Sequence, residues 1–213
     1  MSRELIMRNL TLVAFVTAMI VVVVASNYLV QFPVQIMIGN YNLADLLTWG
    51  AFTYPAAFLI TDLTNRTFGP SKARAVVIVG FIVAVGLSAL LAPVRIAIAS
   101  GTAFLVAQML DVFVFNRLRQ GTWWRAPLVS SFLGSSLDTV LFFSLAFAAM
   151  FVTLGPNEPF LIENAPLLGL FATEVPRWVS LAVGDFAVKS LVALAMLVPY
   201  GALRHVIGKY QPT

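Results

Sequence analysis

Six stretches of about twenty mostly apolar residues follow one another along this chain, and nearly all its lysines and arginines fall in the gaps between them. At about 1.5 Å per residue, a helix of that length crosses the roughly 30 Å hydrocarbon core of a bilayer. The spacing predicts helices over 9–30, 43–63, 74–92, 94–116, 128–153 and 178–200. Their connections carry breakers: Pro33 and Gly39; Gly69 and Pro70; Pro93; Gly121 and Pro127; Gly155, Pro156, Pro159, Pro166 and Pro176. The second stretch is the least regular, since it holds Asp45, Pro55 and Asp62. The connection over 154–177 is long enough for a short re-entrant or interfacial segment. Charged residues make up only 10% of the chain, where the surface of a soluble domain demands roughly a quarter. The expected fold is an all-α integral membrane bundle of about six transmembrane helices, in one polytopic domain over 1–213. The run following Arg3 and Arg8 is longer than a signal-peptide core and reads as a retained first helix.

Charge asymmetry gives an orientation. With the N-terminus in the cytoplasm, inside segments hold Arg3, Arg8, Arg66, Lys72, Arg74, Arg117, Arg119, Arg125, Arg204 and Lys209, against Arg95 and Arg177 outside. Cytoplasmic loops favour Lys and Arg, so both termini are expected inside an inner (cytoplasmic) membrane. Trp123, Trp124 and Trp178 sit at span ends, where interfacial tryptophans are expected.

Absent parts exclude whole classes. No cysteine is available for a disulfide, a thiol nucleophile or a thiolate metal site. No GxxxxGK[ST] run offers a phosphate loop, and the single histidine, His205, leaves zinc and Ser/His chemistry without components. Basic residues cluster at helix ends rather than along one face, which argues against nucleic acid. The reading is therefore a non-enzyme, without cofactor or metal, whose surroundings are membrane lipid.

Ionisable side chains within spans are costly, roughly 2.5–3.5 kcal/mol each on insertion scales, and they mark function. Asp62, Asp111, Asp138, Asp185 and Lys189 qualify. Asp138 and Lys189 lie about 15 Å into their helices, near the midplane, whereas Asp62 lies close to the inner surface. Asp185 and Lys189 are spaced to pair along one helix, as are Asp62 and Arg66. Asp138 has no cation within a turn; among Ser135, Ser136 and Thr139 it needs a partner from another helix, a proton or a ligand. Gln108 shares a helix face with Asp111. Ala99, Ala103 and Ala107 repeat every four residues, as a closely packed helix face does, and Ala14 and Ala18 make a similar pair.

Several strings resemble the bacterial queuosine-precursor transporter family, also called the vitamin-uptake-transporter family. They are Ser26-Asn27-Tyr28-Leu29-Val30-Gln31, Thr48-Trp49-Gly50-Ala51-Phe52, Thr61-Asp62-Leu63-Thr64 and Phe68-Gly69, then Arg95-Ile96, Ala99-Ser100 and Gln108. Asp111-Val112, Val114-Phe115-Asn116-Arg117-Leu118-Arg119-Gln120, Trp123-Trp124, Ala126-Pro127, Gly134, Asp138-Thr139, Asp185 and Lys189 continue the likeness over nearly the whole chain. The segment 95–139 is the most specific part. One departure is Ser135, where the family favours an amide. The resemblance implies an importer of 7-cyano-7-deazaguanine or a related 7-deazapurine, salvaged for queuosine modification of tRNA. A deazaguanine edge carries two adjacent N–H donors beside a carbonyl. A carboxylate of Asp138 or Asp111 accepts the donors, while Gln108, Asn27 or Lys189 donates to the carbonyl. Expected substrate contacts are thus Asn27, Asp62, Gln108, Asp111, Ser135, Asp138, Asp185 and Lys189. Alternating access, facilitated or proton-coupled, is the leading mechanism. The alternative is a substrate-capture subunit that docks an ATP-driven module on the Ala14/Ala18 face. Assembly as a homo-oligomer stays open.

Overall fold

A computed structural model describes residues 3–38 and 41–206. Gly39, read above as a breaker, and Lys209, counted in the charge bias, lie outside the described residues. In chain order the elements are α1 (Arg3–Leu29), β1 (Met37–Ile38), β2 (Tyr41–Asn42), α2 (Gly50–Thr53), α3 (Pro55–Phe68), α4 (Pro70–Leu91), α5 (Val94–Leu118) and α6 (Arg125–Phe147). They continue with α7 (Pro159–Ile162), β3 (Asn164–Pro166), β4 (Glu174–Pro176) and α8 (Arg177–Val206). Each strand pair is a short antiparallel hairpin.

Five of these helices, α1, α4, α5, α6 and α8, are long and apolar enough to cross a membrane. The chain is a multi-pass membrane protein. Their outer faces carry exposed Val13, Val21, Ile82, Leu90, Phe113, Val140, Leu191 and Val198, side chains that only lipid accommodates in such number.

The sixth expected span differs from the reading above. Residues 43–49 do not join it: a single 3₁₀ turn over Leu43–Asp45 precedes loop residues that fold across the end of the bundle. The helical run starts at Gly50 and continues to Phe68, past the predicted end at 63. Pro55 lacks an N–H and divides it formally, yet Tyr54 keeps helical angles (φ −55°, ψ −40°). Together α2 and α3 reach roughly 28 Å, enough to span. Their polarity is tolerable because α3 is enclosed rather than lipid-facing: it packs against α1, α4, α5, α6 and α8. Thr61, Asp62, Thr64 and Asn65 are all buried.

Local chemistry sets the turns. Gly69, at φ +84°, closes α3 in the left-handed region that glycine favours, and Pro70 opens α4 without needing a donor. Pro93 separates α4 from α5. The fifth expected span ends early, at Phe147, and residues Ala149–Leu154 form 3₁₀ turns. Beyond them the long connection holds α7 and the β3–β4 hairpin.

Close packing of α5 on α6 uses the predicted alanine face: Ala99, Ala103 and Ala107 are buried. A Cβ at Gly134 of α6 would stand 2.6 Å from the Phe58 ring and 3.4 Å from the Ala107 carbonyl oxygen. The apolar core gathers Phe15, Met19, Val76, Val77, Phe104, Val112, Phe115 and Tyr200. Arg66, Lys72, Arg117, Arg119, Arg125 and Arg204 mark one basic end of the bundle. Both hairpins and the residue 149–176 connection mark the other, the loop end.

Arg95 stands at the loop end of the bundle, but it is not a solvated charge. It lies in the first turn of α5, 3% exposed. Its Nε donates to the Leu145 carbonyl (2.9 Å), Nη2 to the Ala148 carbonyl (2.7 Å), and Nη1 to the Gly155 carbonyl (3.2 Å) and Asn157 Oδ1 (2.6 Å). A cation thus occupies the carbonyl-rich C-terminus of α6, where the helix dipole favours it.

Candidate functional site

A cavity of about 270 Å³ occupies the loop-end half of the bundle. Its floor is polar. Lys189 Nζ donates to Asp138 Oδ2 at 2.7 Å and lies 2.6 Å from Asp185 Oδ2. One ammonium therefore joins α6 to α8 through two carboxylates. Tyr54, at the α2–α3 joint, donates its hydroxyl to Asp138 Oδ1 (3.0 Å), with the ammonium 5.0 Å from its ring centroid. Thr139 donates to Asp185 Oδ2 (2.9 Å). With two carboxylates and one ammonium ionised the cluster carries one excess negative charge, and it is nearly buried.

The walls are mostly apolar. Phe142, Phe143 and Phe147 of α6 form a mutually packed aromatic group, with centroids 5.2–6.1 Å apart. Ser100 and Ala103 of α5, Ser26 and Asn27 of α1, and Gly50 and Ala51 of α2 complete the surround. Residues 46–48 cover it. The Val34 amide donates to the Leu47 carbonyl (3.0 Å), the Trp49 amide donates to the Phe32 carbonyl (3.0 Å), and a Cβ at Gly184 would reach the Leu46 carbonyl oxygen at 3.0 Å.

Such a floor discriminates chemically. Lysine has three donors; two are engaged, so one N–H remains for a ligand carbonyl. Asp185 Oδ1 accepts no hydrogen bond from the described residues, and carboxylates accept paired donors well. Aromatic walls accept a planar ring.

Of the eight expected contacts, Asn27, Asp138, Asp185 and Lys189 line the cavity. Asn27 is already engaged: its Nδ2 donates to the Val23 carbonyl (2.9 Å) and its Oδ1 accepts from Ser88 Oγ (3.0 Å). Asp62, Gln108, Asp111 and Ser135 are not on the cavity wall. They lie between it and the basic end, where Gln108 Oε1 accepts from Thr61 (2.7 Å) and Asp62 accepts from Ser130 (3.2 Å) and Ser131 (3.4 Å). Asp62 does not pair with Arg66, whose Nη1 donates instead to the Arg119 carbonyl (3.1 Å). The residue that sequence reasoning missed is Tyr54. Its signal was available, since Tyr54, Phe58 and Thr61 follow a helical period across the polar second span.

A family model described as Putative vitamin uptake transporter matches residues 48–94 and 87–203. A Haemophilus influenzae protein named a probable queuosine precursor transporter is 37% identical over 88% of this chain and 84% of its own length. An Escherichia coli queuosine precursor transporter is 34% identical over 89% and 85%. A Bacillus subtilis protein, also named a probable queuosine precursor transporter, is 24% identical over 72% and 69%. No solved structure matches the chain.

Proposed function

The chain belongs to the Putative vitamin uptake transporter family, and from that membership we propose that it imports a queuosine precursor, 7-cyano-7-deazaguanine or a related 7-deazapurine, by alternating access. The basic end faces the cytoplasm of an inner membrane in this reading, as the excess of lysine and arginine there supports. The observation that carries the proposal is the Asp138–Lys189–Asp185 cluster at the floor of an aromatic-walled cavity.

The substrate's ring packs against the phenylalanines of α6. Its adjacent N–H donors meet the carboxylate of Asp185, and its carbonyl takes the spare Lys189 N–H. The volume of about 270 Å³ lies close to the roughly 300 Å³ at which small-molecule pockets begin, which favours a compact bicyclic ligand over a nucleotide. Exchanging a ligand-bonding carboxylate for an amide leaves a buried donor facing donors, a loss of about 1–3 kcal/mol or roughly 5- to 150-fold.

The test is binding of labelled 7-cyano-7-deazaguanine to purified protein, followed by uptake into proteoliposomes containing this chain alone. Asp185→Asn and Lys189→Met are expected to weaken binding at least about fivefold. Wild-type protein that neither binds nor transports any 7-deazapurine overturns the proposal. Binding without uptake by the chain alone would favour a capture subunit.

A further inference from the structure

Beneath the cavity, toward the basic end, sits a second polar site that substrate contact does not use. Asp62 of α3 and Asp111 of α5, 1% and 0% exposed, are close enough for their charges to interact directly. Ser130 and Ser131 of α6 both donate to Asp62. Neither acid belongs to an ion pair among the described residues, where the pairs are Arg177–Glu163, Lys189–Asp138 and Lys189–Asp185. Neither oxygen of Asp111 finds a hydrogen-bond donor. Two carboxyl groups in contact inside a bundle repel unless a cation lies with them.

An independent observation points the same way. A small cavity of about 10 Å³ is lined by Asp62, Ser131 and Tyr200, and the fully buried Tyr200 hydroxyl has no hydrogen-bond partner. That volume is about what a single water-sized occupant needs. Charged groups around it come from α3 (Arg66) and α8 (Arg204), both within electrostatic reach of Tyr200 on the basic side; α6 contributes only its serines.

The site is also wired to the substrate cavity. Ser131, Ser135 and Asp138 follow one face of α6 at four- and three-residue steps, about 10 Å from end to end. Ser135 Oγ, midway, is buried and unpartnered, as is Nε2 of Gln108, three residues before Asp111.

We propose that Asp62 and Asp111 form a site for a monovalent cation, H⁺ or Na⁺, whose occupancy is coupled through Ser131, Ser135 and Asp138 to substrate on the Asp138–Lys189–Asp185 cluster. The inference rests on the import reading above and assigns its energy source. A cation entering from outside offsets one of the pair's two negative charges, loosens the packing of α3 against α5 and α6, and leaves with the substrate on the cytoplasmic side.

The experiment uses full-length protein in liposomes with membrane potential clamped. Exchange of labelled for unlabelled 7-cyano-7-deazaguanine is measured without any gradient, then accumulation is measured under an inward gradient of one pH unit or a tenfold NaCl gradient. Exchange without gradients establishes transport, and its absence condemns the import reading rather than the cation site. Given exchange, about tenfold accumulation under one of the two gradients is expected for one cation per substrate, and the effective gradient identifies the ion. Asp62→Asn and Asp111→Asn are expected to exchange while losing that accumulation. Wild-type protein that exchanges substrate but accumulates it under neither gradient overturns the proposal whether or not either variant folds. Variants that still accumulate about tenfold overturn it as well.

Discussion

Replacing Lys189 by methionine removes the only cation in contact with Asp138 and Asp185 among the described residues. Both carboxylate oxygens lie within 2.7 and 2.6 Å of one nitrogen, so they are at most about 5.3 Å apart. At an effective dielectric of about 20, two unit charges at that separation repel by about 3 kcal/mol. A second substitution, Asp185→Asn, removes that repulsion while leaving the methionine in place. The expected order of stability is wild type, then Asp185→Asn, then Asp185→Asn/Lys189→Met, then Lys189→Met. The last two should differ by about 3 kcal/mol, on the order of 6–12 °C for a chain of this size. Intrinsic fluorescence of the four tryptophans follows unfolding in detergent. Lys189→Met as stable as the double variant would refute the reasoning, because the carboxylates would then not rely on the ammonium.

Three further outcomes follow from single sites. Arg95→Ala strips five hydrogen bonds from the C-terminus of α6 and its following turns; a loss of about 3–5 kcal/mol is expected, partly restored by lysine, read as thermal unfolding. Gly134→Ala forces a methyl to 2.6 Å from the Phe58 ring and should cost about 1–3 kcal/mol in the same assay. Because the chain has no cysteine, single-cysteine labelling maps orientation: Ser71→Cys should react with a membrane-impermeant maleimide only after cell disruption, and Glu163→Cys in intact spheroplasts.

The lipid-facing part of the fold was legible because lipid demands one thing, unbroken apolar length, and four predicted spans correspond closely to α1, α4, α5 and α8. The second was harder because α3 does not meet lipid. Thr61, Asp62, Thr64 and Asn65 are shielded by five other helices, so their polarity is a sign of centrality, which hydropathy scores as a weak span. The surroundings of Arg95 were not legible: it is a lone arginine at the end of the predicted span over 94–116, and only the folded chain brings the α6 carbonyls around it. At the site, Asp185 and Lys189 were visible from their spacing. The Lys189–Asp138 pair joins residues 51 positions apart, and no local pattern announces such a contact.

The position of the polar groups also orders the parts mechanistically. The cavity lies on the loop side of a layer in which the Tyr54 ring packs edge-on against Phe58 and Phe104, at 6.1 and 6.0 Å. Below that layer Thr61 donates to Gln108, and Asn65 donates to the Val112 carbonyl (3.0 Å), tying α3 to α5. In the proposed alternating-access reading, release at the basic end separates these α3–α5 contacts, and Pro55, where the backbone ladder lacks a donor, offers α3 a joint for it. Tyr54 stands at that joint with its hydroxyl on Asp138. In the proposed import reading, a ligand seated on the Asp138–Lys189–Asp185 cluster stands one hydrogen bond away from that joint, rather than acting on it through a remote relay.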